Sequence, residues 1–443
     1  MINEIKEFLS SNNYKALKEF LSSLNEADIA ECFNELTKEE SAIVFRLLNK
    51  NEAADIFAMM DPDAQENIIS SISDKEISSI VSGLFADDVA DLVEELPANL
   101  VSRILKNSNQ ETRKVVNELL KYPEDSAGSI MTIEYIALKE EDTVKQAFKK
   151  IKSTGLNKET VYTTYVTDAN RKLVGVLSVK ELLMAEPRKK VKSLMETNVI
   201  TVNTNTDKEE VAKMFDKYDF LAMPVVDSEN RLVGIVTVDD AIDIFAEEHE
   251  EDFEKMSAMK PLEENYLKSS IFTQYKNRII WLLVLMLSSI ITGKIITNYQ
   301  NAFATLPILV SFIPMIMDTG GNCGSQASTM VIRALATDEI ETKDFLRVWF
   351  KEIQISLLVG VSLAAVNGIR IYIEYQNLLL SLTIGCTLII TAVVAKSIGC
   401  LLPILAKQLK LDPAYMASPM ITTVVDALSL MVFFNVALAL MNI

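Results

Sequence analysis

The sequence predicts a multidomain α + α/β membrane protein, in which a soluble amino-terminal part precedes a set of membrane helices. Three observations predict this division. Charged residues are dense over residues 1–275 and become sparse from Arg278 onward. A twelve-residue repeat runs through the first part of the chain, and one β-rich stretch is present twice in the middle. Hydrophobic residues make up 49% of a chain that also carries 61 acidic residues, and the two facts are compatible if the chain is divided.

Composition limits the classes of function. The chain has 443 residues and a formal net charge of −18. Nucleic-acid binding needs a basic surface, so it is excluded, whereas an acidic surface attracts cations. The four cysteines are scattered, which favours neither a disulfide framework nor a zinc site. The opening residues "MINEIKEFLS" lack the apolar core of a signal peptide, so we expect the soluble part in the cytosol.

Residues 1–127 are predicted to form a helical solenoid. Similar octads recur every twelve residues, at Ala30, Ala42, Ala54, Glu66, Ser78, Ala90 and Ser102. Each octad provides about two helical turns with one apolar face. Thr37 with Glu40 and Ser73 with Glu76 have the spacing of capping boxes, which mark helix starts.

One repeat, "FADDVADLVEELP", places Asp87 and Asp91 on the same helical face. The common interpretation of such a pair is a solvated acidic face. The alternative is a docking point for a metal ion shared with a second acidic surface.

The middle of the chain contains a duplicated module. "YVTDANRKLVGVLSVKELL" at 165–183 is repeated as "PVVDSENRLVGIVTVDDAI" at 224–242, and Asp168 matches Asp227. Each copy predicts a strand, a helix, a β-hairpin and a second helix. The duplication resembles a pair of CBS (cystathionine-β-synthase) modules, at 128–188 and 189–250.

The resemblance to CBS pairs implies a nucleotide site. Such pairs commonly bind adenine nucleotides through a Gly-x-x-Thr/Ser-x-x-Asp pattern. The second copy has this pattern at Gly234, Thr237 and Asp240, whereas the first copy has Glu181 in place of the aspartate. ATP is therefore an expected ligand at one of the two sites.

The second copy continues into "DDAIDIFAEEHEEDFE" at 239–254, which has nine acidic residues and no Lys or Arg. At helical spacing, Asp240 shares a face with Asp243, and Glu248 shares one with Glu251 and Asp252. The usual interpretation is again a solvated face. A divalent cation would relieve the repulsion between these charges. A connecting helix over 251–275 is expected to lead into the membrane part at 276–443.

Apolar runs predict five membrane helices, at 278–298, 302–333, 350–370, 376–405 and 414–441. Lys and Arg residues cluster before the first run and between the second and third. Because basic loops stay in the cytosol, the amino terminus is expected inside. The chain is thus predicted to be a multi-pass protein of the inner or plasma membrane, in contact with the lipid bilayer.

Asp318 and Asp426 lie deep in predicted membrane helices, and Lys396 lies nearer a helix end, where we expect it to extend to the interface. The segment "PMIMDTGGNCGSQAS" at 314–328 is interpreted as a helix interrupted beside a pore, because irregular backbone is tolerated at this depth where it lines water. Close helix packing is the alternative for Gly320, Gly321 and Gly324. It leaves Asp318, Asn322 and Gln326 unexplained.

The oxygen-rich ligand set indicates a hard cation. Mg²⁺ keeps much of its hydration shell and is held by one or two carboxylates. Asp426, with hydroxyls from Ser418, Thr422 and Thr423, suits such an ion. Since five helices are few for a pore, a symmetric dimer with its axis through the pore is predicted. No nucleophile–base pair or phosphate-binding loop is found in the sequence, so an enzyme is not expected.

The chain resembles the MgtE family of magnesium channels and transporters over its whole length. The most specific motifs are "MDTGGNCGSQAST" with "IRALA" in the second span and "DPAYMASPMITTVVDALSL" around the fifth. The resemblance implies a homodimer that conducts Mg²⁺, with Asp426 holding the hydrated ion. It also implies that cytosolic Mg²⁺ binds between the soluble domains and the connecting helix and closes the pore.

Site residues follow from the resemblance and the local motifs. The expected pore residues are Asp426, Ser418, Thr422, Thr423, Asn322, Gly321, Gly324 and Asp318. The implied regulatory Mg²⁺ ligands are Asp87, Asp91, Asp207, Glu209, Asp219, Asp240, Asp243, Glu248, Glu251 and Asp252. The chain departs from some family members at Ser418, where they have a polar amide, and in "DALSL", where "DVTGL" is more common.

Two other functions remain open at this point. One is a coupled secondary transporter of Mg²⁺ or of another divalent ion such as Mn²⁺ or Co²⁺, because such transporters also use broken helices. The other is a membrane sensor that transports nothing and reports nucleotide or Mg²⁺ through the CBS pair.

Overall fold

The structure is a computed structural model that describes residues 1–49, 52–262, 266–267, 269–299 and 306–441. Its internal contacts divide the chain into two units, Met1–Ala246 and Glu247–Ile443. The first unit contains the repeat and the duplicated module, and the second contains the apolar helices.

The first unit begins with a series of short helices whose spacing confirms the predicted repeat. From the third helix onward, successive starts are mostly twelve residues apart. The helices are α1 (Ile2–Ser10), α2 (Tyr14–Leu21), α3 (Glu26–Cys32), α4 (Lys38–Leu47), α5 (Ala53–Ala58), α6 (Pro62–Ser71), α7 (Asp74–Val81), α8 (Ala86–Glu95), α9 (Ala98–Asn107) and α10 (Gln110–Leu119). Both predicted capping boxes, Thr37 with Glu40 and Ser73 with Glu76, are formed.

The repeat builds a layered core. Helices pack against the next but one along the chain, as α3 does with α5, α5 with α7 and α7 with α9. Phe33, Phe45 and Phe57 occupy equivalent positions, and consecutive rings meet edge to face at 6.3 Å and 6.2 Å between centroids. Such contacts stabilise a solenoid beyond simple area burial.

The duplicated module folds as two matching three-stranded sheets with flanking helices. The first copy comprises β1 (Ala137–Lys139), α11 (Val144–Thr154), β2 (Thr163–Thr167), β3 (Leu173–Ser178) and α12 (Val179–Met184). The second comprises β4 (Val202–Asn203), α13 (Lys208–Tyr218), β5 (Ala222–Val226), β6 (Leu232–Thr237) and α14 (Val238–Met256). In each sheet the first pair of strands is parallel and the second is an antiparallel hairpin.

Each copy donates its opening segment to the other. Thr132, before the first sheet, exchanges two backbone hydrogen bonds with Ile235 of β6, and Glu196, before the second sheet, exchanges two with Val176 of β3. A side chain at Gly234 would begin 2.8 Å from the Thr132 carbonyl oxygen. The glycine is therefore required by the close approach of a crossing strand.

The connecting helix predicted over 251–275 is not a single helix. Helix α14 continues from the second module and ends at Met256, and the next helix, α15 (Ile271–Asn298), begins at Ile271. Ala258 has a φ of 54° and Pro261 follows, and both interrupt a helix. The predicted boundary at residue 250 therefore falls inside α14.

The second unit is built from long helices. After α15 come α16 (Ile313–Ala336), α17 (Phe345–Tyr375), α18 (Leu378–Gln408) and α19 (Ser418–Met441). By length and composition, four helices of the described part can cross a membrane, namely Ile271–Asn298, Thr342–Tyr375, Leu378–Gln408 and Pro413–Met441. With its 24 residues α16 is about 36 Å long, and its polar residues set it apart from these four.

The prediction that residues 314–328 interrupt a helix is wrong. Helix α16 is continuous from Ile313 to Ala336, and a 3-10 helix, Pro307–Phe312, precedes it. Pro314 lies in the first turn, where its missing N–H removes no helical hydrogen bond. The start of the predicted second span, at residues 302–305, lies outside the described residues.

Candidate functional site

Helix α16 has a polar side and a glycine side. Asp318, Asn322, Gln326 and Thr329 are exposed and lie within about a quarter-turn of one another on the helix. Gly320 and Gly324 lie on the opposite side and are buried. The helix thus presents carboxylate, amide and hydroxyl groups on a face that the described residues of this unit leave exposed.

Close helix packing, the alternative interpretation of these glycines from the sequence, accounts for the buried side of α16. A side chain at Gly320 would begin 2.3 Å from Ser429 Oγ of α19, and one at Gly399 of α18 would begin 2.3 Å from the Gly324 carbonyl oxygen. Neither space admits a methyl group. The glycines therefore allow α16, α18 and α19 to approach closely.

Asp426 lies on α19 at the edge of this contact. Ser418, Thr422 and Asp426 follow at intervals of four residues and share one face of the helix. A side chain at Gly321 would begin 3.1 Å from Thr422 Cγ2 and 3.8 Å from Asp426 Oδ1. The missing side chain at Gly321 keeps the space beside the Asp426 carboxylate open.

Hydrogen bonds hold the start of α19 against α16. Ser325 Oγ lies 3.0 Å from Ser418 Oγ, and Ser328 Oγ donates to the Met416 carbonyl at 2.7 Å. Thr422 and Thr423 both donate their hydroxyl protons to the Pro419 carbonyl. Their oxygen lone pairs are then oriented as acceptors, as a cation or its hydration water requires.

A charged pair in the same unit was missed by the sequence analysis. Lys396 of α18 is buried, and its Nζ lies 3.6 Å from Glu352 Oε2 of α17. Their side chains are 6% and 13% exposed, so the expectation that Lys396 reaches the interface is wrong. Glu352 follows Lys351 at the start of an apolar run, and an acid in that position was the available signal.

Acidic side chains crowd together in the first unit. Asp87 and Asp88 of α8, Asp240 of α14 and Glu159 act electrostatically on one another. Burial and the neighbouring acids raise the pKa of Asp87 well above its usual range, and they raise the pKa of Glu159 to about 8. Burial also raises the pKa of Asp88 and of Asp240 to about 6. Among the described residues, none of these carboxylates forms a salt bridge that would balance its charge.

Asp87 is the most confined of these acids. It is 9% exposed, and its Oδ1 accepts no hydrogen bond within the described residues. Asp91, one turn later, is exposed, and partial burial together with the charge of Asp240 raises its pKa to about 7. The structure thus brings together three predicted regulatory residues, Asp87, Asp91 and Asp240, and it adds Asp88 and Glu159, which the sequence analysis missed.

Other predicted regulatory residues are placed apart. Asp207 caps the start of α13 and accepts from the Glu209 N–H, whereas Asp219 lies past the end of this helix. The two ends are about 16 Å apart, so Asp207 and Asp219 cannot share one ion. Asp243, Glu248, Glu251 and Asp252 all lie on α14. Within the described residues no three His, Cys, Asp or Glu side chains are positioned to hold one metal ion.

The predicted nucleotide residues have structural partners. Thr237 Oγ1 donates to Asp240 Oδ2 at 2.6 Å, and the Thr132 strand covers Gly234. The acidic neighbours of Asp240 oppose a free polyphosphate. Electrostatically, this corner of the second module favours a cation.

A polar helix face in a unit of apolar helices, in one chain with an acid-rich unit and two CBS-like modules, indicates a cation transporter as the class of protein. Family models agree with that class. The chain matches the MgtE model, a divalent cation transporter, over residues 313–436 and the MgtE intracellular N domain over 24–125. CBS-domain matches cover 127–188 and 191–247.

Curated relatives and solved structures agree as well. A protein named magnesium transporter MgtE from Thermus thermophilus is 37% identical over 75% of this chain and 73% of its own length. The Bacillus subtilis protein of the same name is 37% identical over 76% and 74%. The cytosolic domain of the Mg²⁺ channel MgtE in complex with ATP matches 55% of this chain and 100% of that chain, with 36% identity and a TM-score of 0.53.

The chain belongs to the MgtE family. It is a membrane protein with a cytosolic amino-terminal domain, a CBS pair and several apolar helices. The soluble part of a magnesium transporter, 28% identical, also matches 56% of this chain and 97% of that chain, with a TM-score of 0.52. Relatives that match about three quarters of this chain are named magnesium transporters, a class distinct from enzymes.

Proposed function

We propose that two copies of this chain form a Mg²⁺ channel that imports Mg²⁺ and is closed by cytosolic Mg²⁺. The observation that carries this proposal is the exposed polar face of α16, together with Asp426 and Ser418 on α19. A carboxylate and two amides at mid-membrane depth are too costly to face lipid. A second copy seated on that face would enclose them in a water-filled path on the dimer axis.

Five membrane helices per chain belong to this proposal, with α16 as the helix next to the pore. Its length is sufficient to span the bilayer, and the glycine side anchors it on α18 and α19. The amino-terminal domain lies in the cytosol, so an odd number of spans places the carboxyl terminus outside.

Asp426 is the proposed ligand of the hydrated ion. Mg²⁺ gives up its water reluctantly, and one carboxylate from each copy suits an ion that must also leave. Ser418, Thr422 and Thr423 would orient its hydration shell. Gly321 would leave the required space, and Asp318 and Asn322 would line the adjoining wall.

Closure by Mg²⁺ rests on the crowded acids of the soluble unit. Asp87, Asp88, Asp240 and Glu159 repel one another when no cation is present. Mg²⁺ would bind the folded arrangement that places them together and would shift the population toward it. The residues on α14, including Glu248, Glu251 and Asp252, would extend this regulatory region toward the membrane unit.

Uptake of Mg²⁺ into proteoliposomes that contain the full chain tests the pore proposal. Asp426→Asn should lower uptake at least tenfold, because a neutral amide holds the hydrated cation less strongly. Glu374→Gln is the matched control, since Glu374 is an exposed acid in the last turns of α17, and its uptake should equal that of the wild type. Unchanged uptake in Asp426→Asn would favour the sensor hypothesis.

The same vesicles separate a channel from a coupled transporter. A channel gives a current that rises linearly with voltage and needs no Na⁺ or H⁺ gradient. Strict dependence on such a gradient would favour the coupled transporter. Competition by Mn²⁺ and Co²⁺ measures selectivity among divalent ions.

We also propose that the second module binds ATP together with Mg²⁺ at Gly234, Thr237 and Asp240. Support comes from the related cytosolic domain that was solved with ATP. Because the acidic neighbours of Asp240 repel the phosphates of ATP, we expect a cation to bind beside the phosphates. Calorimetry should therefore detect ATP binding in Mg²⁺ and much weaker binding in EDTA.

A further inference from the structure

Lys255, in the last turn of α14, joins this helix to the segment that leads into α19. Its Nζ lies 2.7 Å from Glu251 Oε1, one turn earlier on the same helix, and 2.8 Å from Asp412 Oδ2. The Lys255 side chain is only 15% exposed. Two short contacts to carboxylates at a nearly covered position make a stronger bond than a surface ion pair.

The segment that receives Lys255 is firmly built. Asp412 Oδ1 accepts from the Ala414 N–H at 2.8 Å. The Tyr415 ring lies 5.9 Å from Lys255 Nζ and stacks on Trp281 of α15, with 5.5 Å between ring centroids. Residues 412–416 therefore contact α14 and α15 on one side. The Ser328 hydroxyl of α16 binds the Met416 carbonyl on another.

This segment ends where the proposed pore residues begin. Helix α19 starts at Ser418, and Asp426 follows eight residues later, about 12 Å along the helix. Only Ala417 lies between this segment and Ser418, so a displacement of residues 412–416 would move the start of α19. The bond from Lys255 to Asp412 is thus a short path from the acidic helix to the pore helix.

Lys255 also holds an acid that is a proposed ligand of regulatory Mg²⁺. An ammonium group and a divalent cation repel each other, so each weakens the binding of the other to the Glu251 carboxylate. Binding of Mg²⁺ to Glu251 therefore favours displacement of Lys255 from it. The position of Lys255 then depends on Asp412 and on the repulsion from the ion.

We propose that Lys255 is a positioning residue that occupies Glu251 as a built-in cation in the absence of Mg²⁺ and passes its displacement by Mg²⁺ through Asp412 to the pore helix. The proposal rests on the proposed closure of the channel by cytosolic Mg²⁺. It assigns the step between ion binding and closure to one side chain. A substitution of Lys255 should therefore change Mg²⁺ binding and channel closure independently of each other.

Lys255→Met gives the test its distinctive result. With the ammonium removed, Glu251 is free of its competitor, so Mg²⁺ should protect the 240–275 segment of the full chain from protease at a lower concentration than in the wild type. The link to Asp412 is also lost, so closure should require at least fivefold more Mg²⁺ on the cytosolic side. The Mg²⁺ concentration for half-maximal protection and the Mg²⁺ concentration for half-maximal closure are the two midpoints of this experiment. The first should fall and the second should rise, a combination that a loss of stability alone does not produce.

Three further variants complete the experiment in proteoliposomes. Lys255→Arg keeps the charge and should restore both midpoints to within twofold of the wild type. Asp412→Asn should leave protection by Mg²⁺ unchanged and weaken closure. Lys260→Met, which removes an exposed lysine five residues later, should match the wild type in both measurements.

Other results would overturn the inference. Midpoints of Lys255→Met that are both unchanged, or that move in the same direction, contradict the coupling role. Wild-type uptake that Mg²⁺ does not inhibit contradicts the proposed closure instead. In that case the protease measurement still decides whether Lys255 and Mg²⁺ compete for Glu251, because it does not depend on transport.

Discussion

The two units of the molecule treat buried charge in opposite ways. In the soluble unit, Asp87 is buried among other acids, and its Oδ1 accepts no hydrogen bond from any described residue. In the membrane unit, Lys396 is buried against Glu352, and Lys255 is held between Glu251 and Asp412. Within the described residues, the buried acids around Asp87 have no salt-bridge partner, whereas the buried acid Glu352 of the membrane unit is paired with a lysine.

This difference in pairing distinguishes acids that can bind a free cation from acids that are already neutralised by a lysine. Uncompensated carboxylates store unfavourable free energy that a bound divalent ion releases, so the soluble unit is suited to binding and regulation. Paired charges have no such need, so the pairs in the membrane unit fix its helices. Asp426 differs from both, because it lies half-buried on a polar face beside open space.

Removal of one partner of the buried membrane pair should have the largest effect on stability. Lys396→Met leaves Glu352 as an unpaired buried carboxylate, which costs about 3–5 kcal/mol of unfolding free energy. Unfolding of the full chain in detergent measures this loss. The double variant Glu352→Leu/Lys396→Met should recover most of it, because no unpaired charge remains.

An exposed ion pair in the same helix provides the control. Arg370 and Glu374 of α17 lie 3.8 Å apart with side chains about half exposed. Arg370→Met should change the unfolding free energy by about 0.5 kcal/mol or less. If Lys396→Met and Arg370→Met lowered the unfolding free energy equally, the distinction between a buried ion pair and a surface ion pair would be contradicted.

Neutralisation of an acid in the soluble unit should increase the unfolding free energy, whereas the variants of the membrane unit decrease it. In EDTA, Asp87→Asn should stabilise the full chain by about 1–2 kcal/mol, because it removes a buried acid that must either stay charged among other acids or take up a proton. In Mg²⁺ the gain should vanish, since the wild type then has a cation to offset the charge. Asp63→Asn, at an exposed acid in the first turn of α6, serves as the control. Destabilisation in EDTA would show that Asp87 has a compensating partner.

A smaller effect should appear in the pH dependence of stability. The acids of this crowd have a raised pKa in the folded state, about 6 for Asp88 and Asp240 and about 8 for Glu159. Their contribution to stability is therefore complete below the unfolded pKa of about 4, and it is lost as pH rises from there to the folded pKa values of about 6 and 8. The melting temperature in EDTA should fall by a few degrees over this interval.

Mg²⁺ should reverse that loss. Because protons and Mg²⁺ compete for the same carboxylates, the increase in melting temperature caused by Mg²⁺ should be larger at pH 8 than at pH 6. Scanning of the full chain in detergent with Mg²⁺ or EDTA measures this difference. An increase that is independent of pH would place Mg²⁺ away from these acids.

The local parts of the fold were predictable from the sequence. Capping boxes, the twelve-residue period and the duplicated hairpin act over fewer than twenty residues, so their signals are complete in the sequence. The continuity of α16, in contrast, depends on the surroundings. Glycines in α16 weaken the helix by itself, and packing against Ser429 and Gly399 overrides that weakness.

The same distinction applies to the candidate site. Asp426, Asp87 and Asp240 were predicted from motifs and from the family resemblance, whereas Glu159 and Glu352 were missed because their partners lie far away in the sequence. Lys255 lies four residues after Glu251 and more than 150 residues before Asp412. The first contact could be predicted from helical spacing, and the second only from the fold.

The exchange of opening segments between the two CBS modules has a consequence for the history of the chain. Met131 lies over Gly234 of the other copy, and Met195 lies over Gly175 in the same way. The opening segment of each module therefore pairs with the sheet of the other module and not with its own sheet. An ancestor with a single module would have needed a second molecule to supply that strand, so gene duplication and fusion converted an association between molecules into a covalent one.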